Sequence, residues 1–375
     1  MLKIKIQRNV FLKAIQIVEK AVRENKIRPV ISGIELEAKG KLITLKGTDL
    51  ELTIKTTIDG EVIEEGKTVF AYNLIVEYLK EVDKEEILIE EQEGKLIIST
   101  KIAVSEFQIY DAEEYPVIRE IESGKEIFIN KDLFVNSLEK TKMAAAQTSD
   151  NLSVHCVRME IKNRILKIVS SDTYRLAYCE AELGEEAGFD TEIKVSIPLK
   201  TIDSMVKILK NIDGTMINVR YEGTQIFFRI AEVSILSRVI DLEFPDYESI
   251  LSNTQYNKKV VLNTKDYTSL LKRVLVFVRS NIDSKNSAIF SFIGNKLIIK
   301  GISKSAKIKE EIDTIKDGDD LNISLNVKFL IDYLQNLETT NIEMNLTDSS
   351  SAVLLKGENE EKYIYFTMPL ALLED

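Results

Sequence analysis

The stretch "SSDTYRLAY" (170–178) follows an apolar run, "ILKIV" (165–169), and sets Asp172, Tyr174 and Arg175 within four positions between apolar neighbours. An acid, a phenol and a guanidinium so close suit three things: a catalytic cluster, a turn that ends a strand, or the floor of a binding site. The remainder of the chain has to choose among them.

At 375 residues the chain exceeds what one core usually organises, so two or three domains are expected. Hydrophobic residues at 44% and charged residues at 30% are ordinary for soluble globular protein. No apolar run reaches bilayer-spanning length. The first residues, "MLKIKIQRNV", alternate like a strand and lack the apolar centre of a secretory signal. Cys156 and Cys179 are the only cysteines and form no CxxC, which excludes a disulfide scaffold or a cysteine zinc site. A cytoplasmic protein is expected. The net charge of −11 counts at first against nucleic acid.

Most of the sequence reads as short strands punctuated by Gly, Asp and Asn: "KLITLKGTDLELTIKTTI", "KLIISTKIAVSEFQIY", "INVRYEGTQIFFRIAEVSILSRVI" and "KLIIKGISKSAKIKEEI". Six stretches have helical spacing. The first follows Asn9 as expected N-cap, with Phe11, Ala14, Ile15, Val18 and Val22 on one face. The others begin at Tyr72, Asn130, Pro198 (placed in a first turn), Asn263 and Asn326. Starts at 9, 130 and 263 pair with starts at 72, 198 and 326, at offsets of 63, 68 and 63. The chain therefore reads as an α+β protein built from three copies of one unit, each repeating strand, helix and strands twice. Repeats this long mean tandem domains rather than a solenoid. Boundaries are expected in "REIESGKEI" (119–127) and "LSNTQYNKK" (251–259), giving domains 1–122, 126–251 and 256–375.

Sorted by element, the charge no longer counts against nucleic acid. The six helical segments together carry +8, so the strands and loops hold the acid excess of a chain whose total is −11. On the fourth helix Ile202, Met205, Val206 and Leu209 form the apolar stripe, while Lys200, Lys207 and Lys210 lie off it. On the first, Lys13, Lys20 and Arg23 likewise avoid the stripe. Basic helices on an acidic body suit a protein that meets phosphates on one surface only.

Catalytic patterns are missing. His155 and Cys156 are adjacent, and on a strand adjacent side chains point to opposite faces, so they form no nucleophile–base pair there. "EGKTV" (65–69) resembles the end of a phosphate loop, but the glycine it needs is Glu61, and Glu64 and Glu65 would repel phosphate. No metal-ligand spacing, nucleophile elbow or dinucleotide fingerprint occurs. A non-enzyme without cofactor or metal is expected.

"SSDTYRLAY" resembles the T-D-G-H-R-L-A stretch of the bacterial DNA polymerase III beta subunit family, the beta sliding clamps. Further matches follow in order: "RPVISGIELEA" (28–38), "LKGTDLELTI" (45–54), "FPDYESIL" (244–251), "NLTDSSSAVLL" (345–355) and the ending "YFTMPLAL" (365–372). The resemblance spans the chain and agrees with the triple repeat. It implies three tandem DNA-clamp domains, each with two helices packed on antiparallel β-sheets, and a head-to-tail homodimeric ring around duplex DNA. Helical Lys and Arg would face phosphates without reading bases.

By the same resemblance, "SSDTYRLAY" forms part of a pocket for short motifs of the polymerase III catalytic subunit, the clamp loader and other partners. Val154, Ser171, Thr173, Tyr174, Arg175 and Leu176 would contribute, joined by Pro245 and Ile250. Phe329, Ala352, Phe366, Thr367, Met368, Pro369, Leu370 and Leu372 would complete it. Asp172 and Arg175 would either pair to fix the turn or meet the peptide. DNA-side matches are Lys13, Lys80 and Lys200, with Arg23, Lys26 and Arg28 nearby. Phe107 and Ile109 would meet Val276 and Phe277 of a second copy. This chain departs from the family in three places: Thr173-Tyr174 replaces Gly-His, Ala371 replaces an Arg, and Leu373-Glu374-Asp375 extends the end. A scaffold of the same fold that does not encircle DNA is the competing reading.

Overall fold

The computed structural model describes residues 2–83, 85–118, 121, 126–148, 151–187, 192–252, 255–279 and 286–371. Among them are seven α-helices: α1 (Arg8–Val18), α2 (Tyr72–Glu81), α3 (Lys131–Lys142), α4 (Leu199–Leu209), α5 (Tyr247–Ser252), α6 (Thr264–Val278) and α7 (Val327–Leu334). Six lie where the spacing predicts them. The seventh, α5, begins within "FPDYESIL" and ends one residue past it, too brief to show a periodicity.

Two details of capping differ from expectation. The Asn263 carboxamide accepts from the backbone of Lys265 and Asp266, and that of Asn326 from Phe329, as N-caps do. Asn9, in contrast, lies inside α1; the helix starts one residue before it, and Gln7 at the cap position makes no side-chain bond. The strand Lys3–Gln7 runs directly into the helix, the Arg8 N–H is taken by the Glu85 carbonyl, and Asn9 as the second helical residue no longer occupies the cap position. Pro198 closes the strand Ile193–Pro198, paired opposite Cys156, and α4 begins after it. A proline at a strand end loses no ladder bond there.

The chain divides into two compact units. The first comprises Met1–Asp132, Gly184–Thr191 and Asp203–Val239. Its thirteen-stranded antiparallel sheet joins strands from the first and middle thirds of the chain: Val233–Arg238 pairs with Leu52–Ile58, with Val233 opposite Thr56. On it α1 buries Phe11, Leu12, Ala14, Ile15 and Val18, and each of the larger side chains contributes about 1.5–3 kcal/mol by leaving water. Gly47 allows this approach: a Cβ there would stand 2.5 Å from the Val18 carbonyl oxygen.

The second unit comprises Leu133–Leu183, Glu192–Ile202 and Ile240–Asp375. It holds a nine-stranded and a four-stranded antiparallel sheet. In the larger one Arg175–Glu182, from the middle third, pairs with Tyr363–Thr367, from the last third, Ala177 lying opposite Tyr365. The core between the sheets and α6–α7 is aromatic-rich: Tyr267, Phe290, Tyr333 and Tyr365 are all buried, with Tyr333 stacked on Tyr365 at 4.9 Å. The middle third thus gives strands to one sheet of each unit. "LSNTQYNKK", read as a boundary, is partly structured: Lys258–Asn263 is a strand of the nine-stranded sheet.

Candidate functional site: an apolar groove and a basic helical face

"SSDTYRLAY" is a hairpin. The strand Ile165–Ser171 turns at 172–174 and returns as Arg175–Glu182. The Asp172 carboxylate builds the turn: one oxygen accepts from the Tyr174 and Arg175 N–H groups, the other from the Arg175 side chain at 2.9 Å. Arg175 is buried and reaches a second acid, Asp332, at 3.0 Å, while its guanidinium lies 4.0 Å from the Phe329 ring centre. The guanidinium is therefore committed to two carboxylates of the protein itself, and Asp172 is a turn-builder.

The hairpin forms one wall of a groove of about 410 Å3. Ser171, Thr173, Tyr174, Arg175 and Leu176 line it on that side. Ile250 of α5, Ala352, Phe366, Thr367 and Met368 face them. The Met368 N–H donates to the Tyr174 carbonyl at 2.8 Å, tying the last strand to the turn. Tyr174, Ile250 and Met368 remain 55%, 39% and 41% exposed, so three apolar side chains wait at the mouth. Apolar Tyr174, Leu176, Ile250, Ala352, Phe366 and Met368 thus share the lining with hydroxyl-bearing Ser171, Thr173 and Thr367, a concave mixture suited to an apolar side chain oriented by hydrogen bonds. Ten of the sixteen pocket residues expected from sequence line this groove. Val154 joins Thr173, Tyr174 and Arg175 around an adjoining cavity of about 470 Å3. Phe329 touches the site through Arg175. Pro245 precedes α5, its carbonyl accepting from the Tyr247 N–H. Pro369 is half-buried, and Leu370 is bridged to Ser324. Leu372 and the extension Leu373-Glu374-Asp375 lie outside the described residues.

Sequence reading missed four lining residues: Gln255, Tyr256, Thr347 and Ser351. All sit in connecting segments without periodicity. The loop carrying the last two is organised by Asp348, whose carboxylate accepts from the backbone and hydroxyls of Ser350 and Ser351. Those bonds hold its pKa down at about 2.

His155 ends a short turn, half-buried. Cys156 is buried, its thiol donates to the Ser153 carbonyl, and burial pushes its pKa up to about 11. Burial raises Cys179 as well.

In the first unit, Lys20 and Lys80 lie within electrostatic reach of Glu19, and Lys207 within reach of Lys20. Burial raises the Glu19 carboxyl against the opposing pull of Lys20 and Lys80. Burial likewise lowers the Lys20 ammonium, Glu19 opposing and Lys207 adding to the fall. Arg23 acts on neighbouring Tyr72. Lys13, Arg23, Lys26, Arg28, Lys80, Lys207 and Lys210 are exposed, and Lys200 is half-buried. In α6, Arg273 is already held by both Glu310 oxygens, at 2.6 and 2.8 Å. Of the residues expected at a contact between copies, Phe107 is half-buried against Tyr78 and Ile109 is half-buried opposite Phe70. Val276 is 55% exposed and Phe277 half-buried.

Tandem domains of paired helices on antiparallel sheets, with a peptide-sized apolar groove and basic helices, define the clamp class of DNA replication proteins. The three domain profiles of the DNA polymerase III beta subunit match in order: the N-terminal domain at residues 2–119, the central domain at 128–246 and the C-terminal domain at 251–371. The chain belongs to the DNA polymerase III beta subunit family. It is 25% identical to the beta sliding clamp of Bacillus subtilis, over 98% of this chain and 99% of that one. It is equally 25% identical to the beta sliding clamp of Pseudomonas putida, with the same coverage. A crystal structure of the DNA polymerase III beta subunit from Thermotoga maritima superposes with a TM-score of 0.92 at 28% identity, covering all of both chains. The chain works as a sliding clamp in DNA replication. Among the described residues, no helix is long and apolar enough to cross a membrane.

Proposed function

We propose that the chain is a non-enzymatic processivity factor of the cytoplasm that closes as a head-to-tail homodimer around duplex DNA. Its clamp domains are 1–122, 126–251 and 256–375. Lys13, Arg23, Lys26, Arg28, Lys80, Lys200, Lys207 and Lys210 face the phosphates. Phe107 and Ile109 of one copy meet Val276 and Phe277 of the other. The groove tethers the polymerase III catalytic subunit, the clamp loader and other proteins through short apolar motifs. Encirclement makes the linkage topological, so a modest basic lining suffices and a tight grip would hinder sliding.

The observation that carries this reading is the sorting of charge: on a chain of net −11, Lys20 and Lys80 act on Glu19 and Lys207 acts on Lys20, so cations of three helical segments lie within electrostatic reach of one another. A scaffold that never met DNA would gain nothing from concentrating its cations there. Loading onto nicked circular DNA followed by linearisation tests the proposal. The protein is expected to stay on the circle and slide off the linear form; equal retention on both would overturn encirclement. Light scattering checks the dimer, with an expected mass about twice 42.7 kDa that holds across ordinary salt concentrations.

A further inference from the structure

The groove does not end at its far wall. Tyr256 and Phe366, which close it on one side, also line a second cavity of about 590 Å3. The floor of this cavity is apolar, made by Tyr178, Leu251, Leu354 and Ile364. Its rim is charged. Lys259 and Lys356 both turn to Glu343, at 2.8 and 4.0 Å, and Lys356 also meets Glu361. Glu180 is different. Its carboxylate accepts from the Tyr178 hydroxyl at 2.7 Å and makes no ion pair among the described residues. Lys362, the cation within electrostatic reach, is itself held by Glu182 at 2.7 Å.

We propose that the partner groove is two-chambered, and that the second chamber takes a lysine or arginine side chain flanking the partner's apolar anchors, with its charge set against Glu180. The inference rests on reading the groove as a partner-peptide site. The fit is both steric and electrostatic. A basic side chain has an apolar stem for the floor and a charged head for the rim. The lining carries three carboxylates against two ammonium groups, and both ammoniums are engaged by Glu343. An acidic residue entering there would meet repulsion that the two engaged ammoniums do not offset, which gives the chamber a basis for rejecting partners as well as selecting them.

Fluorescence anisotropy on the full-length protein tests this. The probes are labelled peptides with a Leu-Phe anchor carrying Lys, Ser or Glu at successive positions on either side. At one position the Lys peptide is expected to bind about fivefold more tightly than the Ser peptide, and the Glu peptide more weakly than both. Glu180→Gln, which keeps an acceptor for the Tyr178 hydroxyl, is expected to bring the Lys and Ser peptides to equal affinity. Equal binding of all three at every position, or a Lys preference undiminished in Glu180→Gln, overturns the second chamber alone. Failure of every peptide to bind overturns the groove reading and this inference with it.

Discussion

Thr173 shows how far a single residue can depart from what its backbone wants. It sits at φ 76°, in the left-handed region, where the family pattern carries glycine. A β-branched side chain there costs roughly 1–2 kcal/mol, and the Asp172 bonds to the two following N–H groups hold the turn against that cost. Thr173→Gly is therefore expected to stabilise the protein by about 1 kcal/mol, read as a higher denaturation midpoint. An unchanged or lower midpoint would mean that the threonine side chain contributes more than its strain removes. Met368 and Leu176 both line the groove, but they are unequal probes. Leu176 is 2% exposed and part of the cluster with Phe244 and Tyr247, so Leu176→Ala is expected to lose about 2–5 kcal/mol of folding stability. Met368, 41% exposed, can be cut without opening the core. Met368→Ala is expected to weaken binding of an apolar-anchored peptide by about 1–3 kcal/mol in titration, with the thermal midpoint unchanged.

Among the elements, α6 and α1 contrast in how they begin. Asn263 caps α6 with two bonds, while α1 starts straight from a strand without a side-chain cap. Asn263→Ala is expected to cost about 1 kcal/mol, measured by urea denaturation. The same substitution at Asn9, inside α1 and exposed, is expected to cost nothing or slightly stabilise, since alanine is the better helix former. Helix α6 withstands removal of its cap because Tyr267, Leu270, Leu271, Val274 and Val278 anchor its other face in the core.

Across the whole molecule the acidic total and the basic helices act together. On the proposed reading, the acidic body repels phosphate and the helical lysines attract it at one surface. Lys80 is exposed at the end of α2, so Lys80→Ala leaves the fold intact. It is expected to lower the log–log salt slope of DNA association by about 0.9 for each phosphate that the lysine neutralises. A slope equal to that of the parent protein would place Lys80 away from the DNA.

Sequence alone determined what depends on neighbours along the chain. The helical starts repeat three times because amphipathic spacing and Asn caps are local, and the hairpins follow from strand runs broken by Gly, Asn and Asp. The resemblance pointed to the groove's wall because "SSDTYRLAY" and "YFTMPLAL" stay recognisable despite the departures at Thr173-Tyr174 and Ala371. Tertiary structure decided the rest. That the middle third lends strands to a sheet in each unit depends on pairings such as Ala177 with Tyr365, which no local pattern encodes. Arg175 joins Asp172 to Asp332 across 157 positions, and only folding shows that its charge is spent there, with Phe329 beneath it. Tyr256 and Thr347 lie in connecting segments without periodicity, and the second cavity is lined mainly by strands distant in sequence, so its side chains meet only once those strands are in register. Periodicity reports which face of an element is buried; it says nothing of which distant face it is buried against.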